Sequence, residues 1–318
     1  MALDCLCIGG ANVDGWFRLV APAIVATSNP ARAEFGFGGV ARNVAEWLGR
    51  LRARAGLLSR VGTDTLGWEL IDDLAASGVD AGLVHAVPGE QTSRYLAVVQ
   101  PDGELFIGVN DMRIIERISP ADIRDAPLEE AAWVFADCNL APETLAAIIA
   151  RRRDSGAFRL VIDAVSVPKA GRLPEDLGGV DLLCCNVDEA NAVLGLAEAA
   201  TVTGAAGIAG GLRARGAASA MITLGADGCV VESAAGAWHV GAVPARVVDE
   251  TGAGDARIAG TLLGLLSGAS LRIAARHGSL LAALATESTH TIDPRVTPAF
   301  VEANARRADE VAIEGPLR

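Results

Sequence analysis

Aromatic side chains are scarce: Phe, Trp and Tyr make up 4% of the 318 residues, and there is a single tyrosine. Hydrophobic residues nevertheless reach 51%, so the core must be assembled mainly from Ala, Val, Leu and Ile. Such material suits a parallel sheet covered by helices, not an aromatic-rich β-sandwich. Positive charge is also short, with 27 Lys and Arg against 39 Asp and Glu, a net charge of −12 at pH 7. That balance speaks against a nucleic-acid partner, which needs clustered cations. A small anionic ligand can still be held by local groups.

Metal-site and membrane signals are missing as well. The six cysteines form no paired CxxC units, so no zinc site is expected. Cys5 and Cys7 lie in one apolar run and Cys184 and Cys185 in another, as small buried hydrophobes do. Their use fits a reducing, cytoplasmic setting. The four histidines, His85, His239, His277 and His290, show no metal-pairing spacing. The opening segment, Met1 to Gly10, lacks the basic start and cleavage site of a signal peptide. The longest apolar stretch, residues 258–271, carries Gly and Ser and is too short to cross a bilayer. No G-x-x-x-x-G-K-[ST] string occurs, which excludes a P-loop. Residues 36–41 fit G-x-G-x-x-A, but without a clear preceding strand or an acidic partner the dinucleotide reading is rejected.

What is present is alternation. Apolar runs at 3–9, 55–61, 132–136, 160–163, 182–185 and 220–224 read as buried strands, with 228–233 as a further short one. Helical spacing marks 40–51, 66–77, 255–266 and 271–286. This predicts an α/β fold with a doubly wound, mostly parallel sheet flanked by helices. Residues 93–109 break the series: two β-type runs joined by Pro101-Asp102-Gly103 form a hairpin signal. With residues 16–35 it is expected to project as a small β lid, formed by about 15–36 and 92–113 of a single domain over 1–318.

The strongest motif is Val247-Val248-Asp249-Glu250-Thr251-Gly252-Ala253-Gly254-Asp255, leading into an apolar helix. Two glycines and a small residue let consecutive backbone N–H groups turn inward around an anion. The helix adds its positive end to the same point. Asp255, in the first turn, can then accept a proton from a hydroxyl attacking phosphorus. A lone G-x-G-D would instead be a glycine turn with Asp255 capping the helix. The whole string, however, resembles the D-T-x-G-A-G-D signature of the ribokinase-like, or PfkB, carbohydrate and nucleoside kinases. Glu250, charged beside an anion site, and Arg257, where an apolar residue is common, depart from that pattern.

The resemblance implies a ribokinase-like fold, ATP and Mg²⁺, and a small sugar or nucleoside substrate. It assigns catalysis to Asp255 with Gly252, Ala253 and Gly254. Phe37-Gly38-Gly39-Val40-Ala41-Arg42-Asn43 is similar to the family's N-terminal signature, so Gly38, Gly39, Arg42 and Asn43 are candidate substrate contacts, Asn43 to a ribose hydroxyl. Asn12 and Asp14 follow the first strand, where a carboxylate can accept both hydrogens of a vicinal diol. Asn186 and Glu189 resemble an N-x-x-E motif that places Mg²⁺ through water; the same residues also read as a capping box. Thr223, Gly225 and Gly228 match a T-x-G-x-x-G element at the nucleotide site, joined by Thr251, Gly252 and Gly254; alone, that element reads as a β-turn. Many family members need a monovalent cation such as K⁺, for which Ser288 to Asp293 is a candidate loop. Lids of this family often pair between subunits, which implies a homodimer.

Several further strings resemble the subgroup acting on pseudouridine: Gly9 to Asp14, Val61 to Gly67, Gly108 to Met112, Ala136 to Asn139 and Asp163 to Lys169. They imply transfer of the ATP γ-phosphate to a nucleoside 5′-hydroxyl. Asn110 and Asp111 can bond a polar base edge, Met112 can pack on the ring, and Lys169 can neutralise the transferring group. Ordinary readings also fit these residues, as a turn, lid core and a surface charge. A sister kinase for ribose or another nucleoside, and a catalytically silent sensor keeping the fold, are the competing readings.

Overall fold

The computed structural model describes residues 2–317; the end residues of the 1–318 unit, Met1 and Arg318, lie outside the described residues. The chain opens with β1 (Leu3–Ile8), then β2 (Asn12–Leu19) and β3 (Ala31–Gly38), and enters helix α1 (Val40–Arg50). Next come β4 (Ala55–Gly62), α2 (Thr65–Ala76), β5 (Asp80–Val87), and the hairpin β6 (Arg94–Val99) and β7 (Leu105–Asp111). After α3 (Pro120–Asp125) the alternation resumes with β8 (Ala131–Asp137), α4 (Pro142–Ser155), β9 (Arg159–Asp163) and the short α5 (Val167–Ala170). It continues through β10 (Leu182–Asn186), α6 (Val187–Leu194), α7 (Val202–Ala214) and β11 (Ala220–Thr223). Two short strands, β12 (Cys229–Ser233) and β13 (Gly236–Val240), precede α8 (Ala253–Leu266), α9 (Leu271–Thr286), α10 (Pro298–Asp309) and β14 (Ile313–Glu314).

Ten strands form one sheet in the order β14-β13-β12-β11-β10-β9-β8-β1-β4-β5. From β5 to β11 every neighbour is parallel, and β12, β13 and β14 add an antiparallel border. Successive strand residues feed two cores. In β1, Cys5 and Cys7 join the cluster with α1, α8 and α9, whereas Leu6 and Ile8 join the one with α4 and α7. Both faces are therefore dry, which is why the strands read as continuous apolar runs. β5, β13 and β14 escaped the sequence reading. They lie at or near the sheet borders, where only part of each strand is buried and the apolar run breaks up.

The second sheet has four strands in the order β3-β2-β6-β7. The hairpin expected at Pro101-Asp102-Gly103 is there, closed by Gly103 N–H donating to Gln100 O and Gln100 N–H to Glu104 O. One face carries Phe17 and Leu19, which with Val98, Phe106 and Ile107 line an apolar cavity of about 240 Å³. Asn12 and Asp14 alternate onto the opposite face. Among the described residues, no helix is long and apolar enough to cross a membrane.

Candidate active site

The carboxyl ends of the parallel strands line up side by side, the place where open α/β sheets bind ligands. Asp137, ending β8, pairs in register with Asp163, ending β9, and Asn186, ending β10, with Thr223, ending β11. The first strand contributes the turn Gly9-Gly10 to this row.

Asp137 organises its centre. Its carboxylate is fully buried and accepts N–H bonds from Gly10, Ala41 and Asn139, each at 2.9 Å. Ala41 lies in the first turn of α1, so the carboxylate also meets the positive end of that helix. Burial raises its pKa, and the three N–H bonds oppose the rise. The sequence reading quoted Asp137 only within a string. The available signal was an acidic residue closing an apolar strand.

At the start of β2, Asn12 Nδ2 donates to Asp14 Oδ1, and both residues are buried. Burial pushes the Asp14 pKa up to about 7 against the pull of Asn12 and Arg42. β2 and β3 pair Asn12 with Gly38 and Asp14 with Gly36. A Cβ on Gly38 would run into the Asp14 carboxylate, so a glycine there gives this acid its room. Asn43 reaches across to α8: its Nδ2 donates to Asp255 Oδ2 at 2.7 Å, joining residues 212 positions apart. One N–H of the Asn43 amide is thus taken by the aspartate.

Asp255 sits in the first turn of α8, whose N-cap is Gly252 at φ 79°. That left-handed backbone suits glycine, and a Cβ would come within 2.8 Å of Thr291 Cγ2. Ala253 N–H is used by Glu250 O. Among the described residues, the N–H groups of Gly252, Gly254 and Asp255 have no main-chain or side-chain acceptor, as expected at a helix start. A Cβ on Gly254 would meet nothing within 4 Å. The result is a donor-lined, open nest beside a carboxylate. Burial, with the Asp137 and Asp14 carboxylates, pushes the Asp255 pKa up to about 7, against Asn43 and Arg42, although the residue keeps some solvent access.

The two departures from the motif leave this nest alone. Glu250 is exposed. Arg257 is buried, with Nη1 donating to Ser279 Oγ at 2.9 Å.

Asn186 and Glu189 form a complete capping box on α6: Glu189 N–H donates to Asn186 Oδ1 and Asn186 N–H to Glu189 Oε2. Burial raises the Glu189 pKa. The T-x-G-x-x-G element is the turn between β11 and β12, where Leu224 N–H donates to Gly228 O and Gly225 is exposed. Register places Thr223 beside Asn186, so the two motifs expected at the nucleotide adjoin.

Three of the other expected contact residues, Arg42, Asp111 and Lys169, have partners within the protein. Arg42 is buried, with its guanidinium bound to Glu46 and Asp73 rather than turned to open space. Asp111 is exposed and paired with Arg113 at 2.6 Å, which with the Arg94 charge lowers its pKa to about 2. Asn110 is exposed on the same edge strand, and Met112 is half-buried just beyond it. Lys169, the chain's only lysine, donates to Asn139 Oδ1; burial lowers its pKa, while Asp137 opposes this. The sequence reading also gave no role to Asp163, whose pKa burial raises, together with the charges of Glu189, Asp255 and Asp137.

The model of the pfkB family of carbohydrate kinases matches residues 2–298. The chain belongs to that family. It is 30% identical over 298 residues to the pseudouridine kinase of Escherichia coli (strain K12), covering 92% of this chain and 94% of that one. It is 28% identical over 288 residues to the guanosine-inosine kinase of Exiguobacterium acetylicum, covering 89% and 94%. The solved ribokinase of Thermotoga maritima matches with a TM-score of 0.84 over 96% of this chain and 99% of that one. At 17% identity that match speaks for the fold alone. As a pfkB-family member the chain is an ATP-dependent sugar or nucleoside kinase.

Proposed function

We propose that this kinase transfers the terminal phosphoryl group of ATP to the 5′-hydroxyl of a nucleoside, and that the nucleoside is pseudouridine. The observation that carries the reading is Asp255, bound on one oxygen by Asn43 and seated beside free amides of the nest. Its other oxygen is left to take the proton of the attacking hydroxyl. The amides of 252–255 offset charge on the transferring group. Asn12 and Asp14 hold the ribose diol, with Gly38 and Gly39 allowing close approach. Asn110 and Met112 meet the base, and Lys169 supplies positive charge along the acidic row. The substrate assignment is supported by the strings shared with the pseudouridine subgroup and by the 30% identity to one such enzyme.

Asn186, Glu189, Thr223, Gly225, Gly228 and Thr251 face the nucleotide. Mg²⁺ neutralises phosphate charge when bound, and the residues fit it through water only. The Asn186 and Glu189 oxygens are already engaged in the cap, and no cluster of three or more metal-ligating side chains occurs among the described residues. A monovalent cation belongs to the same reading at Ser288 to Asp293, whose Thr291 packs on Gly252. Exposed Phe35, Leu105, Phe106, Ile107 and Val109 on the small sheet support pairing with a second copy of the chain in the cytoplasm.

A steady-state assay of ATP with pseudouridine, uridine, adenosine, guanosine, ribose and fructose tests the reading. Pseudouridine is expected to lead in kcat/KM by about tenfold or more. Preference for free ribose or fructose removes the nucleoside assignment and leaves the family intact.

A further inference from the structure

Arg42 touches four residues in three elements at once. Its Nη1 donates to Asn43 Oδ1 and to Phe37 O, both at 3.1 Å. Its Nη2 meets Asp73 Oδ2 of α2 at 2.5 Å and Glu46 of its own helix. Its guanidinium lies 5.9 Å from the centre of the Phe37 ring. Phe37 is the residue of β3 just before the Gly38-Gly39 junction. The arginine and Asn43 are each only 4% exposed.

We propose that Arg42 is a positioning residue for phosphoryl transfer, which locks the Asn43 amide so that it presents its N–H₂ group to Asp255 and ties that lock to the small sheet. The inference rests on Asp255 as the base. A primary amide has two orientations that exchange its oxygen and nitrogen. In the reversed one Asn43 would turn an oxygen toward the Asp255 carboxylate, acceptor against acceptor. Arginine carries donors only, so Nη1 against Asn43 Oδ1 permits a single orientation. Asp255 Oδ2 is then occupied and Oδ1 is free for the substrate hydroxyl.

The guanidinium is itself steadied from outside. Glu46, which it meets, is bound by Arg50 Nε at 2.6 Å and Ser77 Oγ at 3.3 Å. Because Nη1 is shared between Asn43 and the β3 carbonyl, displacement of the small sheet reaches the base through one nitrogen. The charged groups facing Asp255 are Asp14 from β2, Asp137 from β8, Asp163 from β9 and Arg42 from α1. Arg42 is the cation among these, so its loss disfavours the ionised aspartate and moves the acid limb of a kcat–pH profile to higher pH.

The test compares Arg42→Lys, the pair Arg42→Met with Glu46→Gln, and Asp255→Asn, each checked for folding by thermal melting. The pair also neutralises Glu46, which would otherwise stay buried and charged with one of its two arginine partners gone. Arg42→Lys keeps the charge but loses the fork, so kcat is expected to fall about 100-fold with both KM values held and the limb in place, as misplacement of a reacting group does. The neutral pair is expected to lower kcat and also to move the limb upward. In an Asn43→Ala background, Arg42→Lys should lower kcat no further. A lower melting temperature with kcat per folded molecule and limb unchanged overturns the proposal, as does full additivity with Asn43→Ala. An active Asp255→Asn removes the base assignment itself. An inactive one beside unaffected Arg42 variants removes only the role of Arg42.

Discussion

The proposed acceptor side and the proposed nucleotide side of this cleft are built by opposite means. Around Asp255 and Asp137 the deciding bonds are long-range: Asn43 to Asp255 spans 212 positions, and Asp137 to Gly10 spans 127. The carboxylates there are desolvated and crowded, with the pKa values of Asp14 and Asp255 both raised to about 7. At Asn186 and Thr223 the polar bonds are local, three or four residues apart, and Gly225 lies in the open. The first arrangement is preorganised at a cost in stability, whereas the second is assembled cheaply from a helix cap and a tight turn. Chemistry that must extract a proton needs the first arrangement; holding a hydrated polyphosphate needs only the second.

The comparison breaks most sharply at Asp255. Asp255→Asn is expected to lower kcat by about 10³-fold or more, read in a coupled phosphorylation assay. The same change is expected to raise the melting temperature at pH 8 by about 2 °C or more. The sign follows from linkage: with a folded-state pKa of about 7 against 3.8 unfolded, the stability present below 3.8 is lost progressively as pH rises, and the loss is complete once pH has passed 7. The gain from Asn should therefore shrink at pH 5. An equal gain at both values would mean that the carboxylate is not strained.

Gly254→Ala separates folding from function at a single atom. With nothing within 4 Å of the new methyl and a helical position, stability should hold or rise by about 0.5–1 kcal/mol. The methyl intrudes on the anion's place, so kcat should drop by about 100-fold. A variant with full activity would mean the nest does not hold the transferring group. In the native enzyme kcat should climb with pH through about 7 as Asp255 loses its proton, and a flat profile between pH 5 and 8 would contradict its role as base. The smallest effect is expected on the other side. Glu189→Gln keeps a capping side chain, so stability should change by about 1 kcal/mol or less, while the KM for MgATP rises and kcat moves far less than for Asp255→Asn.

Legibility in the sequence followed the range of the bonds. The D-T-x-G-A-G-D-like string encodes its own nest, because the φ of Gly252 and the start of α8 are local events, and Asp255 was found from it. The capping box at Asn186 and Glu189 was equally readable. Arg42 and Asn43 were placed near the substrate by their motif, but what they hold was hidden. Glu46 lies one turn along the same helix, at the i,i+4 spacing, but Asp73 and Asp255 lie on other helices, and no spacing rule connects them to Arg42 and Asn43. Asp137 and Asp163 were passed over for the same reason: each looks like an ordinary strand end until its neighbours in the sheet are known.

Periodicity alone determined the alternating architecture, since strands buried on both faces must read as unbroken apolar runs and their covering helices as periodic ones. Local backbone chemistry alone determined where an anion nest opens. The tertiary structure decided which strand ends stand side by side, which faces the two edges of the small sheet show, and that an arginine from α1 and an aspartate from α8 share one amide. Those outcomes depend on desolvation and on contacts between groups far apart in the chain, and neither is a property of any one segment.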